Sequence, residues 1–233
     1  GDDYNWFDPW NQSQYPTDYS GHGTGTLGIE VSSKRGVAPG AEWIGCVNLA
    51  RNLGNPALYL DCMQFMFAPY PRSGDPFTEG DPSQAANIVN NSWGCPDIEG
   101  CDLAVFEPAL RVMQAAGIFM AVSAGNSAEY GCNSVTDPPA TSAEVFTIGS
   151  VNKSAILSAF SSSGPVSENG ITYYKPNILA PGENILLLAP RNTFSIGSGT
   201  SFAAPHVSGV VALMWSANPG LIGDIETTTR ILL

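Results

Sequence analysis

Two segments far apart in the chain carry residue types that suit acyl transfer. His22 lies between glycines in segment 20–26, and Ser201 lies among small residues in segment 197–206. A histidine can act as general base and a serine as nucleophile, and small neighbours leave room for a substrate. Asn126 ends segment 123–126 and offers an amide that can donate to an oxyanion. These types predict three of the four parts of a serine hydrolase.

The fourth part, a carboxylate to orient the histidine, is harder to assign. The acidic residues before His22 are Asp2, Asp3, Asp8 and Asp18, and all four lie in loop-like sequence. Asp18 is four residues before His22, which alone is a weak reason to give it this duty. The sequence before His22 therefore does not identify a carboxylate that would orient this histidine.

Each of these residues also has a structural interpretation. Ser201 precedes the apolar segment 202–215 and suits the N-cap of a buried helix. His22 suits a hydrogen-bonded core residue, and Asn126 suits a cap of the turn that follows it. The second histidine, His206, lies inside the apolar segment, where we expect it to pack and bond locally. His22 is thus the better candidate for the base.

Composition limits the kind of protein and its partners. The chain has 233 residues, 43% of them hydrophobic, with 25 glycines and 18 prolines, which predicts one globular domain with many turns. The formal charge of −12 rests on only nine basic residues, and this excludes nucleic acid and anionic membranes as partners. Some of the carboxylates could hold calcium, although a solvated surface position is the better interpretation of any single Asp. The sequence contains no apolar run of membrane-spanning length.

The cysteines and the two ends of the chain carry further expectations. Cys95 and Cys101 flank a turn-rich spacer and can form a short local disulfide, and five cysteines leave an odd thiol. We therefore expect an oxidising, extracellular compartment. The chain opens without Met or a signal-like start, and segment 228–233 is apolar and helix-like. Both ends are interpreted as those of a truncated or processed chain.

The hydrophobic pattern predicts alternating strands and helices. Segment 1–21 is interpreted as a surface loop. Helices are predicted over 22–31, 58–67, 103–116 and 202–215, and strands over 42–47, 87–93, 118–122, 145–151, 177–180 and 184–188. Such alternation favours an α/β fold with a mostly parallel sheet covered on both faces.

Four short motifs connect these observations. Segments 21–24, 91–94, 124–126 and 199–206 resemble those of the subtilisin-like serine peptidases (subtilases, S8 family), in the same order. Segments 4–9 and 90–95 are most similar to the bacillopeptidase F branch of secreted bacterial enzymes. The resemblance implies the three-layer subtilisin-like fold and a secreted endopeptidase.

The resemblance also implies roles for particular residues. Ser201 would be the nucleophile, His22 the general base and acid, and Asn126 with the Ser201 N–H the oxyanion hole. Backbone rails that pair with an extended substrate would be formed by Ser92, Trp93, Gly94, Ser123, Ala124 and Gly125. Asp137 would lie at the floor of the specificity pocket and favour Arg or Lys before the cleaved bond, although a turn cap or an ion ligand fits it as well. The Pro138–Pro139 bond would be cis.

Two departures from the family pattern stand out. Gly25 replaces the second histidine of the family's H-G-T-H segment, where we expect altered packing. The family aspartate lies in a D-[ST]-G turn that follows a strand, and this chain has no such segment. We therefore expect residues 1–233 to form a single incomplete peptidase domain that lacks the strand with this aspartate. Such a chain would be inactive or would need a complementing segment.

The resemblance implies no cofactor for the chemistry, structural calcium, a protein or peptide substrate, a monomer, and a propeptide in the precursor. Three other interpretations stay open. A sedolisin-type peptidase has a similar serine segment, but glutamate replaces its histidine. An α/β-hydrolase esterase needs a final glycine after the serine, where this chain has Ala203. A non-catalytic module could bind extended peptides through the same rails.

Overall fold

The computed structural model describes residues 3–168 and 170–233. In chain order its strands are β1 (Trp6–Phe7), β2 (Gly45–Cys46), β3 (Ile88–Asn91), β4 (Phe119–Ser123), β5 (Phe146–Val151), β6 (Val166–Glu168), β7 (Ile171–Tyr173), β8 (Ile178–Pro181), β9 (Ile185–Ala189) and β10 (Thr193–Gly197). Its α-helices are α1 (His22–Val31), α2 (Pro56–Phe67), α3 (Leu103–Ala115), α4 (Thr200–Ala217) and α5 (Ile225–Leu232). The elements alternate as predicted for an α/β fold.

The central sheet is parallel and has the order β3-β4-β5-β8. β4 is buried along its whole length, as expected for a strand with both faces covered. On one face, Phe119, Ala121, Phe146 and Ile148 pack with the apolar residues of α4. On the other face, Met120 and Val122 pack with residues of α2 and α3. The prediction of a parallel sheet between two helical layers is confirmed.

Helix α1 lies against α4 and the β9–β10 hairpin. Gly21 precedes it with φ +82°, a left-handed conformation that favours glycine, and a Cβ there would lie 3.0 Å from the Pro190 ring. Gly28 allows close contact with β9, because a Cβ at this position would come within 3.0 Å of the Leu188 side chain. The small residues of α1 therefore bring His22 to a fixed place beside the hairpin.

The segment before α1 differs from the prediction. Residues 1–21 were expected to form a surface loop, but β1 pairs in parallel with β2, and Trp6 and Asp8 are buried. The prediction of a buried strand over 42–47 is also wrong in its extent, since β2 has two half-buried residues. Strands this short are set by their tertiary partners, so the periodicity of the sequence does not reveal them.

The remaining elements agree with the pattern except in a few places. The predicted helices over 22–31, 58–67, 103–116 and 202–215 are α1, α2, α3 and α4, with small differences at their ends. The β6–β7 hairpin and β10 were not predicted. Among the described residues, no helix combines the length and the apolar character needed to cross a bilayer.

Candidate active site

Ser201 lies in the first turn of α4. The helix begins at Thr200 with Gly199 as its N-cap, so the interpretation of Ser201 as an N-cap is wrong. The Ser201 N–H is one of the first donors of the helix, which have no partner within it and lie at the positive end of its dipole. The Ser201 hydroxyl donates to the Ser92 carbonyl oxygen over 3.3 Å. A hydroxyl and an amide thus meet at a site that favours negative charge.

A proline in α4 leaves the Ser201 carbonyl free to bond to the neighbouring strand end. Pro205 lies inside α4 and lacks the N–H that would bond to the carbonyl of Ser201, four residues earlier. That carbonyl instead accepts a hydrogen bond of 2.7 Å from the Ser92 hydroxyl. Ser92 directly follows β3 and also accepts from the Asn90 amide. The first turn of α4 is therefore attached to the carboxyl end of β3.

Asn126 is held in one orientation by the same turn of α4. Its Oδ1 accepts from the Thr200 N–H over 2.9 Å and is 3.1 Å from the Thr200 hydroxyl oxygen. The Gly125 N–H donates to this hydroxyl over 3.1 Å, and Thr200 is completely buried. Because Oδ1 is occupied, the other side of the amide, Nδ2, is left to donate elsewhere. Sequence reasoning missed Thr200, whose only signal was its place beside Ser201.

His22 is the first residue of α1, and its ring centroid lies 5.5 Å from that of Phe202. It lines the same cleft as Asn126 and Ser201. No hydrogen bond joins the His22 ring to Ser201 or to any other described residue. Desolvation lowers the pKa of His22, and the negative charge of Asp18 opposes this. At neutral pH the imidazole is therefore neutral and able to accept a proton.

The other histidine has a structural place. His206 Nδ1 lies 2.7 Å from the Phe202 carbonyl oxygen, and the side chain is partly buried in α4. Burial lowers its pKa. The expected local hydrogen bond is confirmed, and His206 does not line the cleft that contains His22 and Ser201.

Asp18 caps the start of α1. One carboxylate oxygen accepts from Ser20 and from the Gly21 N–H, and the other accepts from the N–H and hydroxyl of Thr24. Burial raises the pKa of Asp18, but these hydrogen bonds outweigh it and the pKa lies below its usual value. Both oxygens are thus engaged with the helix terminus, and neither bonds to the His22 ring.

The other upstream carboxylates do not contact His22 in the part of the chain that the structure describes. Asp8 is buried and accepts hydrogen bonds from the backbone N–H groups of Trp10, Gln12 and Ser13. Asp3 accepts from the Arg72 N–H. Asp2 lies outside the described residues.

The predicted substrate rails line the cleft on both sides of Ser201. Ser92, Trp93 and Gly94 follow β3, and Ser123, Ala124 and Gly125 lie at the end of β4. Because the two strands are parallel neighbours, their carboxyl ends meet at one edge of the sheet. The rings of Tyr59 and Trp93 stack with their centroids 4.1 Å apart, and this contact supports the first rail, residues 92–94.

Asp137 lies directly against the first rail. A Cβ at Gly94 would come within 3.0 Å of the Asp137 Cβ and 3.3 Å of its Oδ2. The Cys95 N–H donates to the Pro138 carbonyl over 2.8 Å and fixes the two segments together. The expected cis bond between Pro138 and Pro139 is confirmed. Asp137 is half-buried, and its carboxylate faces the cleft beside Gly94.

The cysteines form two disulfides. Cys95–Cys101 is present as expected, and Cys46–Cys62, which the sequence did not reveal, joins β2 to α2. Cys132 is a free, exposed thiol. Among the described residues, one cluster of potential metal ligands occurs, formed by Cys95, Glu99 and Cys101. This set does not fit calcium, which takes oxygen ligands, because its two sulfurs are joined in the disulfide.

Gly25 occupies the position of the histidine that the family pattern would place in α1. It is buried, and a Cβ there would be in ordinary contact, 3.5 Å from the Leu187 side chain. A whole imidazole would have to displace Leu187, which packs with Ile29 and Phe202. The expected change of packing is therefore located at Leu187.

Comparisons with known proteins agree with this geometry. The sequence model of the subtilase family, peptidase S8, matches residues 1–231. The chain is 36% identical to bacillopeptidase F of Bacillus subtilis (strain 168), over 97% of this chain and 16% of that protein. It is 32% identical to the serine protease AprX of the same organism, over 92% of this chain and 52% of that protein.

A solved structure shares the fold. It is described as a cold adapted subtilisin-like serine proteinase and has a TM-score of 0.75, with 24% identity over 96% of this chain and 71% of that chain. The chain spans only 16% and 52% of the lengths of the two curated relatives above. By its sequence match and its architecture, the chain belongs to the subtilase family.

Proposed function

We propose that this chain provides the nucleophile, the base and the oxyanion hole of a secreted subtilisin-like serine endopeptidase. The Ser201 oxygen attacks the carbonyl carbon of a peptide bond while His22 takes the hydroxyl proton. The C–N bond then breaks, and His22 returns the proton to the leaving amine. Water hydrolyses the resulting ester on Ser201 with His22 again as base.

The fixed amide of Asn126 is the observation that carries this proposal. Thr200 holds Oδ1, so Nδ2 stays oriented without reorganisation as charge develops on the substrate oxygen. The Ser201 N–H at the start of α4 provides a second donor. A side chain that only capped a turn would not need a buried threonine to fix its orientation.

The carboxylate that orients His22 is proposed to come from outside the described residues. Asp18 and Asp8 are the upstream carboxylates beside the cleft, and the oxygens of both are occupied by nearby N–H or hydroxyl groups. Without an orienting carboxylate a triad histidine loses control of its tautomer, at a cost of about 10⁴ in rate. The chain is thus proposed to be an incomplete peptidase domain that gains most of its activity when a further strand is added.

A preference for Arg or Lys before the cleaved bond is proposed for the pocket beside Gly94. The Asp137 carboxylate faces this space and can pair with a cationic side chain. Asp137→Asn should lower kcat/KM for an arginine peptide and leave that for a matched phenylalanine peptide unchanged. Glu144→Gln, which removes a carboxylate outside the cleft, is the control. Equal turnover of both peptides by the unmodified enzyme would reject the preference.

Secretion is proposed because the chain contains two disulfides. Cys46–Cys62 and Cys95–Cys101 suit an oxidising compartment, since the cytosol keeps such pairs reduced. A monomeric state, a propeptide and bound calcium stay predictions from the family resemblance.

Covalent labelling tests the proposed function. A fluorophosphonate should modify Ser201 and no other serine, as mapped by peptide mass spectrometry. Ser201→Ala should abolish labelling, whereas Ser216→Ala, at the exposed far end of the same helix, should not change it. His22→Gln should slow the labelling strongly. Absence of label on Ser201 in the unmodified chain, with a peptide that supplies the further strand and its carboxylate also present, would reject the proposal.

A peptide-binding module without catalysis is the second candidate. The His22 ring has no hydrogen-bond partner among the described residues, which suits a chain that binds extended peptides without cleaving them. Such a module would bind substrate peptides through its rails and would show no label at Ser201. The same experiment therefore separates the two functions.

A further inference from the structure

A tight turn, residues 50–53, lies at the edge of the cleft, and Ala50, Arg51 and Asn52 line it. The Ala50 N–H donates to the Leu53 carbonyl over 2.9 Å, and the Leu53 N–H donates to the Ala50 carbonyl over 3.1 Å. The φ angles of Arg51 and Asn52 are +54° and +61°, and type I′ turns require positive φ at both central positions. The turn is therefore closed on itself and presents two side chains at its tip.

Glu99 attaches the base of this turn to the first rail. Its Oε1 accepts from the Gly54 N–H over 3.0 Å, and its Oε2 accepts from the Tyr59 hydroxyl over 2.7 Å. Tyr59 is completely buried, and its ring stacks on Trp93 of the rail. A Cβ at Gly54 would clash with the Tyr59 hydroxyl group, so only glycine allows this close approach. One carboxylate thus joins the turn to the rail.

Arg51 is the cation of the cleft. It is exposed, it makes no hydrogen bond or ion pair with a described residue, and no other described Lys or Arg lines the cleft. A guanidinium keeps its charge and binds carboxylates through paired N–H groups. The carboxylates that line the same cleft belong to Asp8, Asp18, Glu30 of α1, Glu42, Glu99 and Asp137. In these acidic surroundings, Arg51 is the group that would attract a negative side chain of a peptide.

We propose that Arg51 is a specificity-determining residue that binds an acidic side chain of the substrate before the cleaved bond, and that Glu99 is the positioning residue that holds its turn. The inference deepens the proposed function and rests on it for cleavage. Binding of the acidic side chain itself requires no catalysis.

The positions of two charged side chains define the substrate class. The residue next to the cut is proposed to lie beside Gly94, where Asp137 favours Arg or Lys. Trp93 precedes Gly94 in the rail, and the turn that carries Arg51 is joined to Trp93 through the stacked tyrosine. A peptide that extends along the rail would therefore meet Asp137 with the residue before the cut and Arg51 with a residue further upstream. Such a substrate carries an acidic residue shortly before a basic one.

Internally quenched peptides test this preference in the full chain complemented with the strand that carries the orienting carboxylate. Each peptide has one arginine before the cut and one glutamate at the second, third, fourth or fifth position before the cut. The matched peptides have glutamine there. At one of these positions, the glutamate peptide should have a kcat/KM about fivefold higher, mainly through a lower KM, as expected for an exposed ion pair.

Variants of Arg51 test whether the guanidinium causes the preference. Arg51→Gln should remove the difference between the glutamate and glutamine peptides, and Arg51→Glu should reverse it in favour of a lysine peptide. Arg191→Gln is the matched control, because Arg191 is also exposed, has φ +64° and does not line the cleft. Equal cleavage of the two peptides at all four positions, or a preference that Arg51→Gln retains, would overturn the proposal.

Glu99→Ala tests the positioning role. It should lower the ratio of glutamate to glutamine cleavage although Arg51 is intact, because the base of the turn loses its attachment. Glu99→Gln keeps an acceptor for the Gly54 N–H and should restore most of the ratio. Asp97→Ala, at an exposed position two residues earlier, should leave the ratio unchanged. An unchanged ratio in Glu99→Ala would overturn the positioning role.

Binding without cleavage separates this proposal from the proposed function. Fluorescein-labelled glutamate and glutamine peptides are titrated against the full chain with Ser201→Ala, and fluorescence anisotropy reports their affinity. Tighter binding of the glutamate peptide, lost in Arg51→Gln, would support the role of Arg51 even if fluorophosphonate labels no serine, a result that rejects the peptidase. Labelling and cleavage through Ser201 without any charge preference would reject the role of Arg51 and leave the peptidase standing.

Discussion

The two sides of the cleft differ in how firmly they hold their functional groups. On the side of the four-stranded sheet, Thr200, Asn126 and Ser92 fix the start of α4 and the end of β3 through hydrogen bonds. On the side of α1, the His22 ring lies beside the Phe202 ring and near the charge of Asp18, and it makes no hydrogen bond to a described residue. The proposed oxyanion hole is preorganised in this chain, and the proposed base is not.

The same contrast extends into the core. β4 and β5 are covered on both faces, and their residues form continuous apolar clusters with the surrounding helices. β1 and β2 form a separate two-stranded sheet beside a large cavity with unpaired polar groups. The proposed nucleophile and the proposed base therefore depend on different parts of the fold, and one can be lost without the other.

Removing the proposed oxyanion donor tests the side of the four-stranded sheet, and we expect it to cost the most activity. Asn126→Leu should lower kcat for a peptide substrate by about 10²–10³ in the protein complemented with the strand that carries the orienting carboxylate, with little change in KM. This magnitude is the one established for subtilisin, a member of the same family. Ser127→Ala is the neighbouring control. A change in KM alone would show that Asn126 binds substrate without stabilising the transition state.

The pH dependence of the free energy of unfolding tests the α1 side of the cleft. The pKa of Glu30 is about 8 in the folded chain and near 4.5 in the unfolded chain, so the folded state keeps a proton that the unfolded state releases between these values. The free energy of unfolding should therefore fall as pH rises from 4.5 to 8, by roughly 2–4 kcal/mol. The measurement is urea unfolding at several pH values.

Glu30→Gln should remove most of this slope, because glutamine does not titrate. Glu129→Gln, which changes an exposed carboxylate, should retain it. Equal slopes in the unmodified chain and Glu30→Gln would show that Glu30 is not held in a poorly solvated place.

Thr200→Val tests how the oxyanion donor is oriented. Valine keeps the shape but leaves the Gly125 N–H without its acceptor, at a cost of about 1–3 kcal/mol in the free energy of unfolding. Without the hydroxyl, Asn126 also loses one of two contacts, and kcat should fall about tenfold. Thr200→Ser keeps the hydroxyl and should restore kcat. A serine variant as slow as the valine variant would contradict the orienting role.

Asp18→Asn has the smallest expected effect and tests whether Asp18 is a cap or a triad member. Asparagine keeps one acceptor oxygen for the first turn of α1 and loses the other, so the free energy of unfolding should fall by about 0.5–2 kcal/mol while kcat changes less than tenfold. The pKa of His22, followed by NMR, should fall because the opposing charge of Asp18 is lost. A loss near 10⁴ in kcat would identify Asp18 as the orienting carboxylate.

The sequence predicted what depends on long, regular patterns. The apolar runs of β4, β5 and α4 and the disulfide between Cys95 and Cys101 carry strong local signals, and the structure confirms them. The cis bond between Pro138 and Pro139 followed from the family resemblance and is also present.

What the sequence did not reveal depends on distant partners. The two-residue strand β1 forms only because it pairs with β2. The Cys46–Cys62 disulfide likewise depends on the packing of β2 against α2. Thr200 gains its role from Asn126, far away in the sequence. The sequence gives no signal that the Glu30 carboxyl group is buried, because its burial follows from the packing of α1 against α4.

The decisive experiment is a crystal structure of the fluorophosphonate adduct, prepared with the complementing strand also present. We expect phosphorus bonded to the Ser201 oxygen, with the phosphonyl oxygen about 2.7–3.1 Å from Asn126 Nδ2 and from the Ser201 backbone nitrogen. The His22 ring should lie within hydrogen-bond distance of the Ser201 oxygen. An adduct on another serine, or a phosphonyl oxygen that faces away from Asn126, would contradict it.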